Sequence, residues 1–247
     1  MPEIDGTGGW YQELNIQFAD GSRQRFFLHF SRSGRYIPEP ARAPAPWTAL
    51  SFHKCQGCPL SEAVGVCPAA KSLESTLAKV EGHASIEVVR ASAIDGAERM
   101  VEVRWPLQQV GSVFVQLAVF SSGCPIGDKL RPFVADLRPF ATTAEMRRHM
   151  VEKMLLKHRQ AADPEAEIRK ELEPLTTVCN QLARRLRDGA AGAGDAIPNS
   201  IARLDAFARL LAMQIDDVSA QIAGKLGAEP GPKPGLWRRL KSAFLGR

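Results

Sequence analysis

Apolar and polar residues alternate near the N-terminus in a pattern that predicts a β-hairpin. Along residues 10–18, one face of an extended chain carries apolar side chains and the other carries polar ones: Trp10, Leu14, Ile16 and Phe18 against Tyr11, Glu13, Asn15 and Gln17. A period of two is typical of a half-buried strand. Asp20-Gly21 follows as a strong turn signal, so residues 23–31 are expected to form the returning strand.

The middle of the chain predicts a second strand pair and two helices. Residues 85–92 and 98–105 have strand-like patterns on either side of Asp95-Gly96. Residues 107–121 are apolar on nearly every side, which fits either a buried strand or a buried helix, and their length favours the helix. A further helix is expected over residues 127–138.

Helical periodicity dominates the C-terminal half. Thr142 and Glu145 form a T-x-x-E capping-box pattern, from which a helix is expected to run to about Gln160. Pro164 occupies an allowed first-turn position and opens the next helix, which Pro174 is expected to bend.

Two heptad stripes predict an antiparallel helical hairpin. Apolar residues recur at alternating spacings of three and four before and after a flexible D-G-A-A-G-A-G-D-A linker: Ile168, Leu172, Leu175, Cys179, Leu182 and Leu186, then Ile201, Leu204, Ala208, Leu211, Ile215, Val218 and Ile222. Helices joined by such a short linker pack against each other. We expect the stripes to serve helix packing or self-association, chiefly through Ile168, Leu172, Leu175, Leu182, Leu204, Leu211, Ile215 and Val218.

The predicted fold class is α+β, with a small antiparallel β-sheet and packed helices, followed by an antiparallel helical hairpin and a C-terminal amphipathic helix. The expected organisation is a cysteine-containing α+β domain over 1–140, a helical hairpin region over 141–227, a Pro/Gly linker over 228–234 and a basic tail over 235–247.

Composition excludes several protein classes. The 247 residues are 45% hydrophobic and 24% charged, which is ordinary for a globular protein and excludes a disordered chain, a collagen or a small disulfide scaffold. No apolar run approaches the roughly 20 residues of a membrane-spanning helix. The N-terminus lacks a secretion-signal pattern, so we expect a cytoplasmic location with reduced thiols.

The basic excess lies at the C-terminus. Residues 228–247 contain five Lys or Arg and one Glu, whereas residues 1–140 are neutral overall, within a net charge of +5. A basic segment of this size, rather than a basic domain face, argues against nucleic acid as a partner.

Residues 235–247 have the composition of a helix that lies in the plane of a membrane surface. On a helical wheel, one face carries Leu236, Trp237, Leu240, Ala243 and Phe244, and the rest carries Arg238, Arg239, Lys241 and Arg247. The expected membrane-binding residues are Leu236, Trp237, Arg238, Arg239, Leu240, Lys241, Phe244 and Leu245. Anionic lipid attracts such basic residues, so the expected partner is the inner membrane face. Packing on the chain's own domain and docking in a protein groove are the alternatives.

Four cysteines form a candidate metal-binding set. Cys55, Cys58 and Cys67 make a C-x2-C-x8-C pattern, and Cys124 follows at a distance. Four thiolates close a tetrahedral shell, which suits structural zinc. Three of the cysteines precede proline, as also occurs around iron–sulfur clusters. Buried free thiols and a redox pair at Cys55 and Cys58 are the alternatives.

Two further residues, His53 and Cys179, are given mainly structural interpretations. His53 lies two residues before Cys55 and is a possible substitute ligand, although a hydrogen-bonded histidine is the more common case. Cys179 lies on the first heptad stripe, where a buried structural thiol is expected.

The cysteine motifs resemble those of a family of uncharacterised bacterial proteins. The strings are F-H-K-C-Q-G-C-P-L (52–60), C-P-A-A (67–70), S-G-C-P (122–125) and R-P-F-A-T-T (138–143). The resemblance covers roughly residues 10–160 and implies an architecture rather than a reaction. The helical hairpin and the tail lie outside it and are expected to be additions specific to this protein or its subgroup.

No catalytic motif is recognisable. The chain lacks the phosphate-loop, dinucleotide-binding, H-E-x-x-H and G-x-S-x-G patterns, and Glu145 with His149 is expected to form a solvated helix face. The predicted function is a non-enzymatic adaptor that associates with the membrane through its tail and with proteins through its helical region. The alternative is an iron–sulfur or thiol redox protein, and an enzyme with an apolar pocket is a third option.

Overall fold

A five-stranded antiparallel sheet forms one layer of the protein. The computed structural model describes residues 10–38, 43–94, 99–190, 192 and 194–225. The strands are β1 (Trp10–Gln17), β2 (Arg23–Phe30), β3 (Tyr36–Ile37), β4 (Val88–Ile94) and β5 (Met100–Pro106), in the order β3-β2-β1-β4-β5.

The first hairpin is confirmed in both register and facing. β1 pairs with β2 from Trp10 opposite Phe30 to Gln17 opposite Arg23. Leu14, Ile16 and Phe18 are buried, as the alternation predicts. The second strand pair is also confirmed, but β4 begins later than expected and residues 95–98 are outside the described part of the chain.

Helices cover the inner face of the sheet. They are α1 (Pro68–Val80) and α2 (Leu107–Phe120), which confirms the helical interpretation of the apolar segment after β5. Sequence reasoning missed α1. The helix expected over 127–138 is a shorter 3-10 helix, Gly127–Phe133, because Pro132 lies inside it and has no N–H for a longer helical ladder.

Three helices complete the fold. α3 (Thr143–Lys157) begins with the expected capping box, since the Thr142 side chain accepts from the Glu145 amide and the Glu145 carboxylate accepts from the Thr142 amide. α4 (Pro164–Gly189) begins after the N-cap Asp163 and continues through Pro174. α5 is Ala196–Lys225.

α4 and α5 form the predicted antiparallel hairpin. Arg169, early in α4, pairs with Asp216 at 2.8 Å, whereas Cys179, later in α4, interacts with Asp205, which lies earlier in α5. The eight principal stripe residues are at most 5% exposed, so they pack within the chain and offer no surface for a partner. The buried residues of the sheet, α1, α2 and the hairpin belong to one continuous core.

A glycine allows α2 and α5 to approach closely. A Cβ added at Gly111 would lie 2.4 Å from the Ser200 hydroxyl oxygen. That hydroxyl donates to the Gln108 carbonyl at 2.8 Å, which joins the two helices. Among the described helices, none is long and apolar enough to cross a membrane.

The α2–α5 contact generates a double-mutant prediction. Gly111→Ala should lower the free energy of unfolding by about 1–3 kcal/mol, because the new methyl group collides with the Ser200 hydroxyl. Adding Ser200→Ala should recover at least about 1 kcal/mol of that loss, since the nearest remaining contact distances are 3.4 Å. Urea unfolding of the two single variants and the double variant measures the coupling, and additive effects would contradict this packing.

Candidate metal centre at the cysteine cluster

Four cysteines from three separate segments of the chain lie in one region of the folded structure. Cys55 and Cys58 lie on one loop, Cys67 immediately precedes α1, and Cys124 follows α2. Burial raises the pKa of the Cys55 thiol most, and Cys67, Cys124 and Cys58 raise it further. Cys67 and Cys58 likewise add to the effect of burial at Cys124, so the four thiols lie within electrostatic reach of one another. We call these four residues the cysteine cluster. Cys124 is buried and the other three are half-buried.

A tight turn brings Cys55 and Cys58 to one place. The Cys58 amide donates to the Cys55 carbonyl at 3.1 Å, and Gly57 has φ +75°. A positive φ at this third position of a turn favours glycine. The Lys54 ammonium donates to the Leu60 carbonyl at 2.8 Å, which closes the loop behind the turn.

Cys67 is fixed by pairing between two short backbone segments. Its amide donates to the Thr48 carbonyl at 2.8 Å, and the Leu50 amide donates to the Gly65 carbonyl at 2.9 Å. Residues 48–50 therefore hold residues 65–67 in place. The first helical residue of α1 is Pro68, whose missing N–H costs nothing in the first turn.

Cys124 lies in a turn that depends on Gly127. A Cβ at Gly127 would lie 1.9 Å from the Val119 carbonyl oxygen, so only glycine allows this turn to pack on the end of α2. The backbone N–H groups of Gly127 and Ile126 hydrogen bond to the Cys124 side chain. Such N–H groups stabilise a thiolate more than a thiol.

A buried arginine organises the loop that carries the first two cysteines. Arg185 of α4 is 1% exposed and donates to the carbonyls of Trp47 at 2.8 Å, Ala49 at 2.6 Å and Leu50 at 3.1 Å. Among the described residues, no carboxylate pairs with it. Burial and the neighbouring thiols raise the pKa of Cys55, and the positive charge of Arg185 offsets a small part of that rise.

His53 is engaged by the end of α4. Its Nε2 lies 2.8 Å from an Asp188 oxygen, and its φ of +49° is unusual for a residue with a side chain. A Cβ at Gly189 would lie 2.5 Å from the Trp47 Cβ, so α4 and the loop are in close contact. His53 therefore has a partner outside the cysteine cluster.

Burial keeps two of the thiols neutral when no cation is bound. Burial is the largest effect at Cys55, and neighbouring thiols add to it, which raises the pKa of that thiol to about 12. Burial likewise raises the pKa of Cys124. A thiolate at either position therefore needs positive charge beyond that of Arg185.

No single-ion site is preformed in the part of the chain that the structure describes. There, no group of three or more His, Cys, Asp or Glu side chains is arranged to hold a metal ion. The four thiols thus share one region without converging on one point. The structural zinc site expected from their spacing stays a prediction.

The remaining predicted site residues do not join the cysteine cluster region as a group. Cys179 is buried on α4 as expected, and burial raises its pKa. Glu145 is used by the helix cap and by Arg138 at 2.7 Å. The tail residues Leu236 to Leu245 lie outside the described residues.

Sequence reasoning missed Arg185. It lies three residues after Leu182, so it falls on the apolar side of α4, although it is charged. A charge on an apolar stripe is the one signal that the sequence offers for it. The carbonyls that it binds are more than 130 residues away in the chain, which no local pattern reveals.

Comparison with known sequences connects this architecture to one family. The family described as "Domain of unknown function (DUF6901)" matches residues 13–225. This agrees with the expected resemblance to an uncharacterised family but does not test the cysteine motifs. The match includes the helical hairpin, so the expectation that the hairpin is an addition to the family's domain was wrong. No curated protein and no solved structure matches the chain.

The role of Arg185 generates a stability prediction. Arg185→Met should lower the free energy of unfolding by about 2–4 kcal/mol, because it leaves buried carbonyl groups without a donor. The matched control is Arg184→Met, at an exposed position on the same helix, where the change should be within about 0.5 kcal/mol. Urea unfolding compares the two variants, and equal effects would contradict the organising role of Arg185.

Proposed function

We propose that the chain, which belongs to the DUF6901 family, is an iron–sulfur protein whose cluster is bound by Cys55, Cys58, Cys67 and Cys124. The observation that carries the proposal is that four cysteines from three segments share one region within electrostatic reach of Arg185, a buried cation with no carboxylate partner among the described residues.

The ligand set suits an inorganic centre bound entirely by protein. Thiolates are soft ligands that select zinc, copper(I) and iron–sulfur clusters. Four of them occupy every external position of a cluster. Such a centre has no open coordination position for a substrate, so we assign it a structural role. It joins the 55–67 loop to the end of α2.

We prefer a cluster to one zinc ion because the described residues contain no preformed single-ion site. Zinc holds all four sulfurs about 2.3 Å from a single centre. The described residues offer no three ligands in such an arrangement, although the four thiols influence one another. In a cluster, each sulfur binds a different iron atom or shares one with a single neighbour, so the thiols stay further apart.

The charges are complementary. A cluster with four thiolates is anionic overall, and Arg185 provides a buried positive charge next to Cys55. The N–H groups of Gly127 and Ile126 favour the thiolate of Cys124 and offset part of the effect of burial there. Hydrogen bonds to cluster sulfurs are among the factors that set its properties.

Anaerobic purification of the full chain tests the proposal. We expect a coloured protein with broad visible absorption and with iron and acid-labile sulfide in equal amounts, at about two or four of each per chain. Cys124→Ala should abolish most of the bound iron and lower the thermal midpoint. The matched control is Cys179→Ala, which removes a buried thiol of α4 that interacts electrostatically with Cys55 but is not a proposed ligand, and this variant should retain the iron.

Other results would contradict the proposal in distinct ways. A colourless protein with about one zinc per chain that Cys124→Ala removes would overturn the cluster but keep a four-cysteine site. Iron lost equally from Cys124→Ala and Cys179→Ala would contradict the ligand set. Protein without metal would contradict both kinds of centre.

A second function rests on the C-terminal sequence. We propose that residues 235–247 attach the protein to the cytoplasmic membrane surface, where it acts as an adaptor. Supporting this are the apolar and cationic faces of the segment and the concentration of basic residues after position 227. Protein partners would bind elsewhere than the heptad stripes, because those are buried.

Vesicle binding tests the tail. The full-length protein should co-sediment with vesicles that contain anionic lipid, and a version ending at Gly227 should not, because the tail supplies both the apolar and the basic residues. As a control, binding of the full-length protein should weaken on neutral vesicles or at high salt. Equal sedimentation of the two proteins would refute attachment by the tail.

A further inference from the structure

A cleft of about 1030 Å³ lies along α2, and neither α1 nor the cysteine cluster lines it. Its walls come from β1, β5, residues 131–141 and α5, and no cysteine lines it. A cavity of this size accommodates a small organic molecule. Nothing in the proposed function uses it.

Aromatic rings line much of the cleft. The rings of Trp105 and Phe140 meet edge to face with centroids 6.1 Å apart, and Phe120 and Phe207 contribute further apolar surface. Phe140 has φ +57°, a conformation that costs a residue with a side chain free energy. The surrounding packing therefore holds this ring in place despite local strain.

Polar groups on α2 point to a ligand rather than to a simple packing gap. Gln109 and Gln116 both line the cleft and are seven residues apart, so they share one face of the helix. Both are half-buried, and neither side-chain amide has a hydrogen-bond partner among the described residues. Half-buried amides without partners are available to a bound molecule.

The charge of the cleft is positive. Its two acidic residues are already neutralised by cations outside the lining, since Glu13 pairs with Arg25 and Asp136 with Lys153. Of its arginines, Arg131 binds the Ser33 carbonyl and Arg203 has no polar partner among the described residues. Two guanidinium groups thus lack a carboxylate in the described structure.

We propose that this cleft is a binding site for a small organic anion with an aromatic body. The rings at Trp105 and Phe140 receive the body, the amides of α2 orient it, and Arg203 binds the anionic group. An anion with a planar body matches all three features, whereas a neutral hydrocarbon leaves the guanidinium and amide groups without partners.

A matched pair of dyes tests the proposal on the full chain. The anionic probe is 8-anilinonaphthalene-1-sulfonate, and N-phenyl-1-naphthylamine has the same aromatic body without the sulfonate. We expect saturable fluorescence enhancement with about one sulfonate dye per chain, and at least about tenfold weaker binding of the neutral dye.

Variants locate the site. Arg203→Gln, at an exposed position, should weaken binding of the sulfonate dye about tenfold and leave the neutral dye unaffected. Arg184→Gln removes an exposed charge outside the cleft and should change neither dye. Gln116→Leu provides a second variant at the α2 face, with weaker binding of the sulfonate dye expected.

Three results would overturn the site. They are equal affinity for the two dyes, unchanged sulfonate binding in Arg203→Gln, and non-saturable binding that heating to unfold the protein increases. Because no cysteine lines the cleft, the dye experiment is independent of metal content, and its failure leaves the iron–sulfur proposal untouched.

Discussion

The bond between Arg185 and the 47–50 backbone is the interaction on which the cysteine cluster depends. Its guanidinium group fixes one side of that segment through three carbonyls, and residues 65–67 pair with the other side. This pairing fixes the position of Cys67. A charged group so deeply buried is costly unless its hydrogen bonds are satisfied, and here backbone carbonyls satisfy them. The helical hairpin thereby holds the cysteine loop against the sheet-and-helix body.

Helix α2 supports both the cleft and the turn that carries Cys124. α2 presents Gln109 and Gln116 to the cleft and ends four residues before Cys124. Its opposite face carries buried residues such as Val110 and Phe114 that hold it in the core. A buried helix is a rigid support, so polar residues on it keep a defined geometry. The two candidate sites therefore share a support without sharing residues.

Local patterns in the sequence predicted the elements that local physics determines. The first hairpin followed from alternation around Asp20-Gly21, and α3 followed from the Thr142–Glu145 cap. The spacing of the cysteines identified a candidate set, and the folded chain places these residues within electrostatic reach of one another, but whether they bind a metal stays a prediction. The pattern missed α1 and overextended the helix after Gly127, because neighbouring prolines and glycines obscured both boundaries. Arg185 and the cleft arise from contacts between distant segments, which periodicity does not encode.

The separation between Arg185 and its partners has a consequence for biosynthesis. Arg185 lies 138 residues after Trp47, whereas the last cysteine of the cluster is Cys124. The ribosome therefore releases all four thiols before it has made the residue that orders their loop. During that interval the 47–50 segment lacks the hydrogen bonds that Arg185 donates to it. Under the function proposed above, iron and sulfide would therefore be inserted late, after α4 has emerged and docked.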